Sequence, residues 1–129
     1  MNDIKKESLD LHKKKKGKLA IKPKVRIKNR NDLVLAYTPG VAAVSEAIAK
    51  DKNLIYDYTI KGNSVAVVSD GSAVLGLGNI GAEAALPVME GKAILFKEFA
   101  DIDAFPICIK TQDEKEIVSI VKNIAPAFG

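Results

Sequence analysis

Residues 65–109 read VAVVSDGSAVLGLGNIGAEAALPVMEGKAILFKEFADIDAFPICI. Val65-Ala66-Val67-Val68 is a short, unbroken apolar run of the kind a fully buried strand needs. Asp70-Gly71-Ser72 is a turn, and Ala73-Val74-Leu75 predicts a return to extended chain. A helical stretch follows from about Ile80 to Phe99, interrupted at Pro87. Proline has no N–H to donate and its ring clashes with the preceding turn, so either two helices meet there or one helix is kinked. Ile102 to Ile109 reads as a second buried strand. Short apolar strands alternating with helices predict an α/β fold: a layered domain with a small, mostly parallel sheet flanked by helices.

The flanks extend this pattern. Downstream, Thr111 and Glu114 have capping-box spacing, and Ile117, Ile120, Val121 and Ile124 recur at the helical step. Upstream, a helix is expected at about 31–36. Another should run from Pro39, a favoured first-turn residue, to about Lys50, with Val41, Val44 and Ile48 on one face. Residues 2–15 predict a short helix, and 17–30 an extended connection containing Pro23. The domain is therefore expected over 31–129, preceded by a basic, partly helical arm over 1–30. The closing residues Ala125-Pro126-Ala127-Phe128-Gly129 have the character of a domain joint.

Composition narrows the class. The chain has 129 residues, 47% of them hydrophobic and 28% charged, enough apolar mass for one folded domain. Its single cysteine, Cys108, excludes an internal disulfide framework and a Cys-rich zinc module, and suits a reducing compartment. The amino-terminal residues lack the apolar core of a signal peptide, and no apolar run approaches a membrane span of roughly 20 residues. A cytoplasmic location is expected.

The net charge of +4 hides an asymmetry. Residues 1–30 hold 12 Lys and Arg against 3 Asp and Glu, a net of +9, whereas residues 31–129 hold 8 against 13, a net of −5. The basic run centred on Lys13 to Lys16 would attract phosphates or an acidic partner. It lacks the interleaved aromatics of single-strand binders, and no nucleic-acid-recognition motif follows it, so a solvated or partner-facing arm is expected over a nucleic-acid arm. His12, the only histidine, has no evident partner, which removes Ser-His and Cys-His nucleophile chemistry.

Three features carry candidate chemistry. Gly76-Leu77-Gly78-Asn79-Ile80-Gly81 satisfies G-x-G-x-x-G, the phosphate cradle of dinucleotide sites. That fingerprint needs a strand running straight into the loop and an acid closing the next strand. Here the Asp70-Gly71 turn breaks the approach, and Asp101 and Asp103 precede the second strand instead of ending it. A tight backbone loop lining the pocket of a small anionic substrate is the preferred reading of Gly76, Gly78, Asn79 and Gly81. Lys92 has only apolar neighbours at helical spacing: Val88, Met89, Leu95, Phe96 and Phe99. Such a lysine either snorkels outward or points its amine into a sheltered site, where desolvation would make it a general base. Tyr37, in Ala36-Tyr37-Thr38-Pro39-Gly40, is either core filler with a bonded hydroxyl or a proton donor. Asp101 and Asp103 alone are a weak metal signal.

The segments Ala36–Ala42, Val67–Gly81 and Pro87–Lys92, continued by Ile102-Asp103-Ala104-Phe105-Pro106, resemble the N-terminal domain of malic enzyme of the short prokaryotic type. The likeness covers roughly residues 31–129. It implies oxidative decarboxylation of L-malate to pyruvate and carbon dioxide, with NAD or NADP and Mg²⁺ or Mn²⁺. It further implies that Lys92 is the general base at the C2 hydroxyl and that Tyr37 is the general acid that later protonates C3. Ser72-Ala73 stand where animal-type members carry Glu-Arg, so the loop amides or a residue outside the chain would have to hold the substrate carboxylate. The family's metal ligands and nucleotide-binding domain lie beyond Gly129. This chain alone is accordingly expected to bind neither metal nor nucleotide and to be inactive. The partners implied are L-malate and pyruvate, a C-terminal NAD(P) domain and a second subunit in a homodimer; no membrane partner is expected.

Overall fold

A computed structural model describes residues 2–129. Two strands, β1 (Ser64–Ser69) and β2 (Asp103–Cys108), pair in parallel, with Ser64 opposite Asp103 and Ser69 opposite Cys108. Parallel neighbours need a crossover, and α5 (Ala82–Ala100) supplies it, giving a β–α–β unit. Before it come α1 (Asn2–Lys15), α2 (Arg30–Ala36), α3 (Val41–Lys50) and the single turn α4 (Ile55–Tyr58); α6 (Glu114–Ile124) follows β2.

The core lies where α5 meets the sheet. Ala82, Ala85, Met89 and Ala93 are buried, and their steps of three and four residues draw one stripe along the helix. Val74 from the preceding loop completes the set. Pro87 falls off this stripe on an exposed surface, and α5 continues through it as one helix. Of the two arrangements expected at Pro87, two separate helices are ruled out; the missing N–H leaves only the Glu83 carbonyl unpaired, on a side open to water.

The α5 C-terminus is closed by Asp101 in the left-handed region (φ 53°), whose N–H donates to Lys97 O at 3.0 Å while Ile102 N–H reaches back to Phe96 O at 3.3 Å. Lys97 bonds the carboxylates of Asp101 at 2.6 Å and Asp103 at 3.0 Å, the paired surface lysine its spacing suggests. For α6 the cap is Asp113, which accepts from Glu116 N–H at 2.9 Å, and not Thr111. The Thr111 hydroxyl instead bridges the cap, accepting from Asp113 N–H at 3.2 Å and donating to the Glu116 carboxylate, so the reciprocal capping box expected at Thr111 and Glu114 does not form.

At the far end, Phe128 packs on Phe105 of β2 with centroids 5.8 Å apart, and Gly129 N–H donates to Ser64 O at 2.8 Å. Lys61 Nζ donates to the carbonyls of Ala125 and Phe128. Arg30–Lys50 is long and apolar enough by composition to cross a membrane. It is nevertheless two helices of 7 and 10 residues, interrupted over Tyr37–Gly40, where the Thr38–Pro39 peptide is cis.

The chain exposes 10,208 Å². A self-contained folded protein of 13.9 kDa exposes about 6,700 Å². Some 3,500 Å² by that scaling is surface that an independent domain would have covered.

Gly71 is pressed against the backbone of the loop's far end. It is buried with φ 73°, and a Cβ there would overlap the carbonyl of Gly81. Gly71→Ala should therefore cost at least about 2 kcal/mol in chemical denaturation. Gly78→Ala, with a similar φ of 72° but open space around it, should cost only about 1 kcal/mol. Equal losses at the two positions would show that the close approach carries no weight.

Candidate active site

Because β1 and β2 are parallel, their carboxyl ends lie on one side, where open α/β sheets bind ligands. Two loops meet there, 70–81 after β1 and 109–113 after β2. The first is closed upon itself. Gly71 O accepts from both Ile80 N–H (3.1 Å) and Gly81 N–H (3.2 Å), and Val74 N–H donates to Gly78 O (2.9 Å). Ala73-Val74-Leu75 does not return to strand as expected: Leu75–Leu77 form a single 3-10 turn, because these cross-loop bonds outweigh local β propensity.

Asp70 sets the loop's entrance. Its carboxylate accepts from Ser72 N–H at 2.9 Å and from the Ser72 hydroxyl at 2.7 Å, which holds it below the usual aspartate range. Asn79 and Gln112 form a reciprocal amide pair, each side chain donating to the other at 3.0 Å. This pair ties the glycine loop to the segment leading into α6. Gln112 had no signal in the sequence, since its partner lies 33 residues away.

The glycine loop does not fit a dinucleotide. β1 ends at Ser69, well short of Gly76, and the residue exposed just after β2 is Lys110, not an acid that could hold a ribose. Gly76 and Gly78 have open space around their α-carbons, and Gly81 begins α5 at φ 83°. Gly76, Gly78, Asn79 and Gly81 therefore form a backbone-rich surface at the helix start. A metal does not fit either: among the described residues no three His, Cys, Asp or Glu side chains converge. Asp101 and Asp103 are already engaged by Lys97, and Asp103 also by Asn63 at 3.2 Å, so the Lys97 and Asn63 bonds hold the Asp103 carboxyl low.

Lys92 stands exposed. At about 100° per residue it falls on the shoulder of the buried α5 stripe, beside Val88, Leu95 and Phe99. Met89 is buried, but Leu95 is 55% and Phe99 85% exposed, so the apolar surroundings expected to shelter the amine are themselves uncovered. Tyr37 caps α2, its N–H donating to Leu33 O at 2.9 Å and its carbonyl accepting from Val41 N–H at 2.7 Å, while the side chain is 65% exposed. It is not core filler. Neither side chain makes a hydrogen bond or ion pair among the described residues. The α2–α3 pair packs on itself and on the turns that follow, without substantial contact to α5. The structure thus fixes both residues by their backbones and leaves both side chains free, without bringing them together.

His12 does have partners. Its Nδ1–H donates to Ser8 O at 2.7 Å, and Nε2 accepts from Lys18 Nζ at 2.8 Å. Lys18 also clamps the arm to α5, through Pro87 O at 2.6 Å and, by its N–H, Glu90 Oε2 at 2.8 Å.

Comparison with known proteins agrees with this fold. The sequence profile described as malic enzyme, N-terminal domain, matches residues 16–122, reaching back into the basic arm. The chain is 64% identical over 113 residues to the NAD-dependent malic enzyme of Geobacillus stearothermophilus, covering 88% of this chain and 24% of that one. It is 51% identical over 124 residues to the NADP-dependent malic enzyme of Rhizobium meliloti, covering 95% and 16%. The crystal structure of malic enzyme from Pyrococcus horikoshii superposes with a TM-score of 0.95 at 56% identity, over 98% of this chain and 30% of that one. The chain therefore spans less than a third of the length of each of these relatives.

The Asp70 turn makes a pH prediction. A carboxyl held low when folded contributes stability above its unfolded value of about 3.9, and that contribution is lost as pH falls through the lower folded value. Asp70→Asn should flatten the fall in melting temperature below about pH 4. An unchanged acid limb would remove Asp70 from the account. By its fold, its motifs and the 107-residue span of that profile match, the chain belongs to the malic enzyme family, as an N-terminal domain.

Proposed function

We propose that this chain is the substrate-side part of an enzyme that oxidatively decarboxylates L-malate to pyruvate and carbon dioxide, with Lys92 as general base and Tyr37 as general acid. The observation that supports this best is the placement of those two side chains. Lys92 stands on α5 and Tyr37 on the corner that caps α2, each exposed and, among the described residues, unpaired, as a group must be if it is to meet a substrate enclosed by further protein. In the reaction Lys92 takes the proton of the substrate hydroxyl, and Tyr37 returns one to carbon after carbon dioxide has left. The glycine loop offers its backbone to a substrate carboxylate, with Asn79 held by Gln112.

The hydride acceptor is NAD or NADP; the relatives include enzymes named for each. Neither the nucleotide nor a Mg²⁺ or Mn²⁺ ion fits the residues of this chain, so both belong to other parts of the complete enzyme. A general base also needs a water-excluded site, and Lys92 lacks one here. The wall that desolvates it is supplied by whatever covers Leu95 and Phe99, a nucleotide domain or a second subunit of a homodimer.

A second reading, an assembly module with no chemistry of its own, is favoured by the large uncovered area. Calorimetry with malate separates the two, since assembly without malate binding supports only the second.

In the complete enzyme Lys92→Ala should lower kcat by about 10²–10⁴-fold, and Tyr37→Phe by a similar factor. A Lys92→Ala enzyme within threefold of wild type would overturn the base assignment. The purified 129-residue chain with malate, Mn²⁺ and either nucleotide should give no reduced nucleotide signal. Any such signal overturns the division of labour between this chain and the rest.

A further inference from the structure

We propose, resting on the functional reading above, that Gln112 is a positioning residue: through Asn79 it holds the glycine loop in the shape that receives the substrate carboxylate. It thereby sets how tightly malate binds without touching malate or the reacting atoms.

The loop is short of fixed points. Glycine fills three of the six positions from 76 to 81, and Gly78 and Gly81 adopt φ 72° and 83°. Glycine has more backbone freedom to lose on ordering than any other residue, so such a loop samples many shapes unless something holds it. Packing does not hold it: open space surrounds the α-carbons of Gly76 and Gly78, and Leu75 and Leu77 are 78% and 68% exposed. Its backbone bonds close it on itself. Val74 N–H reaches Gly78 O, Leu77 N–H reaches Val74 O at 3.0 Å, and Ile80 and Gly81 both donate to Gly71 O. These bonds draw the outline of the loop, and none ties it to the second loop at the carboxyl end of the sheet.

The Asn79 side chain makes that tie. Among the described residues, the only hydrogen bonds between 70–81 and 109–113 are the two of the Asn79–Gln112 pair, Nδ2 to Oε1 and Nε2 to Oδ1, each 3.0 Å. Asn79 stands between Gly78 and Gly81, so holding its side chain pins the loop between its two left-handed glycines. Gln112 is a sound anchor because both of its neighbours are engaged at the start of α6. Asp113 accepts from Glu116 N–H at 2.9 Å, and the Thr111 hydroxyl donates to the Glu116 carboxylate. The backbone of Gln112 is thus fixed to an 11-residue helix while its amide reaches the glycine loop.

Both amides are exposed, so the pair adds little to the stability of the fold, and its effect falls on the loop. A loop ordered in advance spends no binding energy on ordering when substrate arrives. The carboxylate it receives stays bound from ground state to transition state, so loosening the loop weakens both alike. That raises KM and leaves kcat unchanged.

The test is steady-state kinetics of the complete enzyme with malate, with hydrogen–deuterium exchange over residues 75–81 in the same preparations. Gln112→Ala should raise KM for malate about tenfold, leave kcat within about twofold, and speed exchange of those amides at least about threefold. Gln112→Met keeps the side-chain length without the amide and should match Gln112→Ala. Gln112→Glu keeps an acceptor for Asn79 Nδ2 and should fall between Gln112→Ala and wild type. The melting temperature should stay within about 2 °C throughout, as for exposed substitutions generally. A wild-type KM in Gln112→Ala, on an enzyme that turns over malate, overturns the assignment alone. So does a Gln112→Met enzyme with wild-type KM, which would make side-chain length the cause, or wild-type exchange of the loop in Gln112→Ala. A wild-type enzyme that does not turn over malate overturns the functional reading, and the assignment with it.

Discussion

The α5 stripe of Ala82, Ala85, Met89 and Ala93 rests directly on two parallel strands, and three of those four side chains are a single methyl. Alanine lets helix and sheet backbones approach closely, but it buries little apolar area per residue. The same economy governs the loop above, where the Gly71 backbone meets that of Gly81 with no room for a Cβ, so that α5 starts directly over the end of β1. These contacts make the β–α–β unit well defined without making it large. Two strands and one thin layer of alanines are a small core for 129 residues, and the 10,208 Å² left exposed follows from it.

Most of this frame was legible in the sequence, because hydrophobic period is a local property. β1, β2 and the amphipathic α6 follow their apolar runs, and α5 follows its spacing. What was not legible depended on partners far along the chain. Ala73-Val74-Leu75 has strand composition but is drawn into a 3-10 turn by bonds from Gly71 to residues 80 and 81. Pro87 reads as a break only while its side of the helix is unknown. Thr111 has the composition of a cap, but Asp113 takes the role once the Asn79–Gln112 pair fixes where the chain leaves β2. His12 gains its partner from the turn at Gly17 (φ 92°), which brings Lys18 back onto the imidazole.

The candidate site was legible as residue types and not as an environment. Lys92 was singled out for apolar neighbours, and those neighbours are present at the expected positions on the helix. Helical spacing reports which residues share a face; it cannot report what covers that face. In this chain Met89 on that face is buried, but Leu95 and Phe99 are bare. The same holds for Tyr37, whose corner position is set by two backbone hydrogen bonds while its ring remains in solvent.

Bareness and chemistry are two sides of one requirement. A lysine base must lose water to work, yet a substrate must reach it before that water is lost. A fold that buried Lys92 permanently within its own core would meet the first condition and fail the second. On the proposed reading, Lys92, on the shoulder of a helix and flanked by the exposed Leu95 and Phe99, would meet both in sequence: open while substrate enters and dry once a further body covers that face. The thin alanine core fits this reading, because it leaves the larger apolar side chains Leu95 and Phe99 of α5 exposed. On that reading, surface that would be a defect in an independent domain is what would turn Lys92 into a base.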